Sequence, residues 1–178
     1  MEYLDIYDSE GNSLGIQKSK KEAHDNGLWH KSVHIWIVNS NKELLIQKRS
    51  PQKDNHPNEW DISSAGHVSA GEDDITSAIR ETEEEVGLKL KPENFILIGS
   101  VKQMSKREGY INNEINPINI VKMELDPEKI IKQEEEVSEV KLISYKELKK
   151  IIESGDPTFV SHEKEYELFF DYLENKWN

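Results

Sequence analysis

Between Gly66 and Leu88 the chain reads GHVSAGEDDITSAIRETEEEVGL, with acidic residues at helical intervals. In a helix, residues three and four apart share a face. Glu81, Glu84 and Glu85 then converge on one side, within reach of a single cluster of divalent cations. Arg80 stands four residues before Glu84, where it can hold that carboxylate in place. Crowded carboxylates repel one another at neutral pH, so a fold keeps them most readily when a cation offsets the charge. Mg²⁺ is commonly held in this way, by a few carboxylates together with substrate phosphates. The alternative for such a run is a solvated acidic helix face.

Such a cluster needs a frame. Residues 3–7 and 14–17 are short apolar segments around Asp8-Ser9-Glu10-Gly11-Asn12, which predicts a β-hairpin. Residues 18–26 are polar and read as loop or a short helical turn. Val33 to Val38 is β-branched and aromatic, a strand; Asn39 to Lys42 turns it and Leu44-Leu45-Ile46 returns beside it. Residues 49–60, with two prolines and few apolar groups, read as a loop. A short strand around Asp61-Ile62-Ser63 leads into the acidic segment. There Ile75, Ala78, Ile79 and Val86 form the stripe opposite the acids, and Gly87 stands where a left-handed C-cap belongs. Further strands are expected at 95–101, 118–125 and 137–143, with Pro117 predicting that the second starts at an edge or a bulge. A helix over 145–153 turns Leu148, Ile151 and Ile152 inward. A last helix, about 161–177 with Ser161 as N-cap, spaces Tyr166, Phe169, Phe170, Leu173 and Trp177 as core. Together these elements make a mixed sheet with helices on its faces.

At 178 residues the chain suits a single domain, 1–178, with an N-terminal hairpin over about 1–30. A net charge of −12 argues against a broad basic surface for a nucleic-acid polymer. The absence of cysteine excludes disulfides, thiolate metal sites and a cysteine nucleophile. No secretory signal is visible at the N-terminus, and no stretch approaches the roughly 20 apolar residues of a membrane span. A cytoplasmic protein without membrane contact is the simplest reading.

The acidic segment resembles the Nudix box: Gly, five residues, Glu, seven residues, Arg-Glu, an aliphatic, any residue, Glu-Glu, any residue, Gly, an aliphatic. Gly66, Glu72, Arg80-Glu81, Glu84-Glu85, Gly87 and Leu88 meet it, while Thr82 takes a position usually aliphatic and should thin the packing there. The resemblance implies an α/β/α sandwich around a mixed sheet and a hydrolase of small-molecule diphosphates. It extends over most of the chain. HDNGLWH (24–30), LLIQKRS (44–50), KDNHPNEWDISSAGH (53–67) and NNEIN (112–116) are similar to the branch related to isopentenyl diphosphate isomerase. In that enzyme three histidines and two glutamates bind a metal, and a cysteine and the second glutamate move the proton. Here His24, His30 and His67 match the histidines and Glu114 the second glutamate, but Ala65 replaces the cysteine and Asn112 the first glutamate. A methyl cannot hand over a proton, and a neutral amide weakens a metal site. A complete box on an isomerase-like scaffold points to a hydrolase.

The resemblance implies Glu81 and Glu85 as principal ligands of Mg²⁺, with Mn²⁺ as the alternative ion. Glu84 would serve as a third ligand or as a partner of Arg80, and the Gly66 carbonyl would complete the shell. Glu72, Arg80 and Gly87 brace the loop and helix. The base that activates water varies among family members between a box glutamate and one on a later loop. Glu135, in Gln133-Glu134-Glu135-Glu136-Val137, is the preferred candidate here, against a solvated acidic turn. Lys48, Arg49 and Lys53 lie in the stretch like the isomerase's diphosphate wall, where Arg49 could grip a phosphate bidentately and surface charge is the alternative for the lysines. His24, His30, His67 and Glu114 stand either as a second metal site or as substrate contacts. Trp36 and His34 read as structural, Trp60 as core or as a stacking surface, and His56 and His162 carry no readable signal. The expected substrate is a nucleoside diphosphate derivative or a small prenyl diphosphate. An isomerase and a non-catalytic diphosphate sensor are the competing classes. Homodimers are common in this superfamily.

Overall fold

Alternating apolar residues from Tyr3 to Tyr7 form strand β1, which pairs antiparallel with β2 (Ser13–Ser19). Asp8 closes their turn by accepting from the backbone N–H groups of Glu10 and Asn12. Helix α1 (Lys20–Asn26) follows at once, so the hairpin ends well before residue 30. A capping box starts this helix: Ser19 Oγ accepts from Glu22 N–H, and the Glu22 carboxylate accepts from Ser19 N–H. This computed structural model describes residues 1–178.

Strand β3 (Trp29–Val38) runs through the centre of the sheet and is longer than its apolar run. Strand β4 (Glu43–Arg49) returns from it, and β5 (Trp60–Asp61) pairs with β4. Strand β6 (Ser64–His67) pairs with β3 instead. The single strand expected around residues 61–63 is therefore split in two. Ser63 explains the break: its Oγ donates to Leu45 O and accepts from Ile37 N–H, linking β3 and β4 where their own ladder is short.

The acidic segment forms α2 (Asp74–Val86), capped by Asp73, which accepts from Thr76 N–H at 2.7 Å, and ended by Gly87 at φ 68°. Ala78 and Val86 pack under the sheet against Val33, Ile35 and Ile37, while Ile75 and Ile79 are only half-buried. Thr82 does not loosen this contact. It is fully buried, with Oγ1 donating to Ala78 O at 2.7 Å.

Strands β7 (Phe95–Arg107) and β8 (Tyr110–Lys122) make a long hairpin, and β8 runs parallel to β3. Pro117 does not begin β8; it lies buried in the middle. Its missing N–H is tolerated where the β3 ladder lapses between Ile115 and Ile118, close to an irregularity in β7 between Leu97 and Gly99. Strand β9 (Val137–Ser144) pairs with β4 and leads into α3 (Tyr145–Glu153). The last helix, α4 (Glu163–Asp171), runs on into a π-helical turn, Tyr172–Lys176. Its N-cap is His162, not Ser161, and makes no side-chain capping bond, its ring turning inward to Asp61 instead. Trp36 stacks on Phe169 of α4 at 4.0 Å between ring centres. Alternation along β3 thus sends Val33, Ile35 and Ile37 to α2, and Trp36 and Val38 to α4, giving an α/β/α sandwich.

Candidate active site

A cleft of about 1240 Å³ opens along α2, β6, β8 and the loop before β9. Glu85 is buried at its base, where three donors hold one of its oxygens. Oε2 accepts from Gln47 Nε2 at 2.8 Å, Ser64 Oγ at 2.8 Å and Ala65 N–H at 3.2 Å. Burial pushes the Glu85 carboxyl up and these donors oppose it. Glu81 lies directly against Gly66: a Cβ at residue 66 would stand 2.0 Å from the Glu81 carboxyl carbon. Burial, then the charge of Glu85, raise Glu81 to about 7 against the pull of Arg80. Glu84 is exposed at the rim.

Arg80 holds Glu81 more closely than Glu84, at 2.6 Å against 3.5 Å. Its other nitrogens reach Glu72, Ser69 Oγ and the His67 carbonyl, and Glu72 also accepts from Ser77 Oγ at 2.6 Å. One guanidinium thus ties the start of α2 to the end of β6. Gly66→Ala is expected to drive Glu81 aside, cost about 1–3 kcal/mol in overpacking, and abolish divalent-ion binding measured by calorimetry.

The histidines converge on the same cleft from three elements. His24 comes from α1, His30 from β3 and His67 from β6, with ring centres 4.8–5.3 Å apart. Glu114 of β8 places Oε1 3.8 Å from His30 Nε2 and 3.7 Å from His67 Nε2, too far for a hydrogen bond. Both Nε2 atoms are buried without a partner. His30 is aimed by Nδ1 on the Leu28 carbonyl at 2.9 Å, and His24 Nε2 meets Asn112 Oδ1 at 3.1 Å. Burial and then neighbouring positive charge hold His67 well below the usual histidine range; burial and His30 lower His24 as well. Unpartnered imidazole nitrogens on His30 and His67, with His24 and the Glu114 carboxylate beside them, are a donor set that a transition-metal cation fits.

The basic residues are placed unequally. Lys53 lines the cleft in an ion pair with Glu136. Arg49 also lines it, but its Nη1 donates to Asp61 at 3.1 Å and its Nε to the Asn55 carbonyl at 3.0 Å. Lys48 lies over Trp60, and neither residue lines the cleft. Glu135 is exposed on the cleft wall, on a loop joined to α2 by Gln133 N–H donating to the Glu85 carbonyl at 3.1 Å.

Sequence reasoning missed the opposite wall. His34 Nδ1 donates to Glu165 at 2.6 Å, and Glu165 also accepts from Trp36 Nε1 at 2.9 Å. His162 Nε2 donates to Asp61 at 2.8 Å. Burial draws His162 down, but the Asp61 carboxylate more than offsets this and holds it up to about 9. Burial likewise opposes the charge of Asp61, yet His162 and Arg49 keep its carboxyl far below the usual range. His34 carried one legible signal: it stands two residues past Ser32 and four past His30, on the same strand face.

Residues 7–162 match the NUDIX domain, and the chain belongs to that family. It is 38% identical over 183 residues to Nudix hydrolase 3 of Arabidopsis thaliana, covering 98% of this chain and 24% of that protein. The chain therefore spans about a quarter of that relative's length. Similarity to the isopentenyl-diphosphate Delta-isomerase of Serratia proteamaculans is 36% identity over 86 residues, 48% of each chain. A crystal structure from Deinococcus radiodurans shares the fold at TM-score 0.70 and 19% identity, covering 94% of this chain and 96% of its own. No helix is long and apolar enough to cross a membrane.

Proposed function

We propose that the protein hydrolyses the phosphoanhydride bond of a small organic diphosphate, with Mg²⁺ or Mn²⁺ held by Glu81, Glu85 and the Gly66 carbonyl and with Glu84 at the rim. The observation that carries this reading is the pair Glu81–Gly66. A residue with any side chain at 66 would fill the space of a carboxylate that burial and Glu85 leave short of counter-charge. In such a site a divalent ion polarises phosphoryl oxygens, lowers the pKa of a bound water and offsets charge on the leaving phosphate. The chain supplies the rest. Gln47, Ser64 and the Ala65 N–H aim Glu85, and Arg80 with Glu72 aims Glu81. Lys53 exchanges Glu136 for a substrate phosphate, with Arg49 beside it. Glu135, on the loop tethered to α2, accepts the proton from the attacking water.

Because Glu81 holds its proton up to about pH 7, ion binding must displace that proton below this point. Mg²⁺ affinity is expected to rise between about pH 6 and about pH 8, with close to one proton released per ion at the lower pH. Calorimetry in two buffers of different ionisation enthalpy measures this, and a pH-independent affinity would remove Glu81 from the ligand set.

His24, His30, His67 and Glu114 form a second site, for a transition-metal cation. His30→Ala should lose one equivalent of bound Mn²⁺ or Zn²⁺ by elemental analysis while keeping the wild-type circular dichroism. Unchanged stoichiometry would assign the histidines to substrate contact instead.

The general test is a panel of nucleoside diphosphate derivatives and prenyl diphosphates incubated with Mg²⁺. Release of phosphate or nucleotide supports hydrolysis. Conversion of isopentenyl to dimethylallyl diphosphate would restore the isomerase reading despite Ala65, and binding without turnover would make the protein a sensor.

A further inference from the structure

We infer that His34, aimed by Glu165, is a specificity-determining residue for the organic half of the substrate, and that this half is hydroxylated, as in a sugar or ribose, not a hydrocarbon chain. The inference rests on the diphosphohydrolase reading and narrows its substrate class.

His34 stands in register with Ala65 across β3 and β6. The Ala65 N–H is bound to Glu85, so the imidazole lies one strand away from the acidic cluster. Glu165 is 1% exposed and both its oxygens are engaged, Oε2 by His34 and Oε1 by Trp36. Buried behind the ring and the indole, that carboxylate orients His34 and does not line the cleft. With Nδ1 committed, Nε2 is the atom His34 presents, and the ring lines the cleft with no hydrogen bond from Nε2 to the protein.

A ring nitrogen that faces the cleft takes its partner from water or, once water is displaced, from the ligand. A hydroxyl both donates and accepts, so it satisfies Nε2 in either protonation state of the ring. A hydrocarbon satisfies neither. The surrounding wall has the same character: Asp61, His162 and Gln103 line it, and only three of the 32 residues around the cleft are apolar. A prenyl chain gains affinity by burying apolar area against apolar walls, and here it would strip water from polar groups without replacing it. A site built to bond a hydroxyl discriminates strongly against the analogue that lacks one.

The test compares ADP-ribose and UDP-glucose with isopentenyl diphosphate, in the wild-type protein and in His34→Asn and His34→Gln. Asparagine keeps a donor near the Nδ1 position for Glu165 and removes Nε2; glutamine returns a polar atom near Nε2. For the better sugar nucleotide, His34→Asn should raise KM about tenfold with kcat nearly unchanged, as expected for one lost hydrogen bond, and His34→Gln should recover part of it. Singly deoxygenated analogues of that substrate, tested on the wild-type protein, should include one that loses the same factor and loses nothing further in His34→Asn. The wild-type half of this arm shows that one hydroxyl is bound, and the variant half assigns that contact to His34. The inference is overturned if isopentenyl diphosphate is cleaved as well as the sugar nucleotides. It is also overturned if His34→Asn changes KM equally for all three, or if no deoxygenation matters, each of which would leave the pair as a tie between β3 and α4. Cleavage of none of the three compounds, or of any other diphosphate, would instead remove the hydrolase reading on which it rests.

Discussion

Replacing Glu85 by glutamine is expected to lower kcat/KM by about a thousandfold, the order that follows from losing ~4 kcal/mol of metal-assisted transition-state stabilisation. Glutamine matches the shape of the side chain, so Gln47, Ser64 and the Ala65 N–H keep a carbonyl oxygen to donate to. What disappears is the negative charge facing the cleft. Since burial already disfavours that charge, the metal-free variant should melt at or slightly above the wild-type temperature. Activity, Mg²⁺ affinity and thermal melting separate the alternatives. A fully active, metal-binding Glu85→Gln would refute the assigned role, and a variant that fails to fold would make Glu85 a structural acid.

Asp61→Ala should produce the largest loss of stability, about 3–5 kcal/mol, the usual cost of removing one partner from a buried ion pair. For a chain of this size that corresponds to a melting temperature lowered by roughly 10 °C. Asp61 is 6% exposed and compensates two cations, His162 and Arg49, which the substitution strands together. The pH dependence follows from His162. Its folded pKa of about 9 lies above the ordinary histidine value of about 6.5, so its contribution is complete below about 6.5 and is lost as pH rises through about 9. The wild-type protein should lose stability across that alkaline window, and Asp61→Asn should lose much less of it. Urea midpoints measured at several pH values check this; parallel curves for the two proteins would show that the pair contributes nothing.

Much of the frame is legible because it is local. The spacing of Glu81, Glu84 and Glu85, the glycine at a left-handed cap and the alternation of β3 all act within a few residues. Helix α1 reads from sequence only as loop or a short helical turn, since residues 18–26 carry no apolar stripe; its Ser19–Glu22 capping box emerges in the structure. Pro117 misled because the penalty for a missing N–H depends on whether the neighbouring ladder needs that group, and here the β3 ladder lapses beside it.

Local spacing also determined that three glutamates would share a helix face, and similarity to known relatives determined which histidines would meet. Which of the three glutamates is buried beside Gly66 and which is left in solvent was decided by tertiary structure. Gln47 and Ser64, on β4 and β6, hold Glu85 at the base of the cleft, and Gly66 leaves the space that Glu81 fills, while nothing covers Glu84. The polar wall is the stronger case. Asp61 and His162 are 101 residues apart and His34 and Glu165 are 131 apart, and no periodicity connects such positions. Only packing α4 against β3 brings them together, and their burial turns ordinary acids and imidazoles into fixed pairs, because low dielectric strengthens each contact and penalises each unpaired charge.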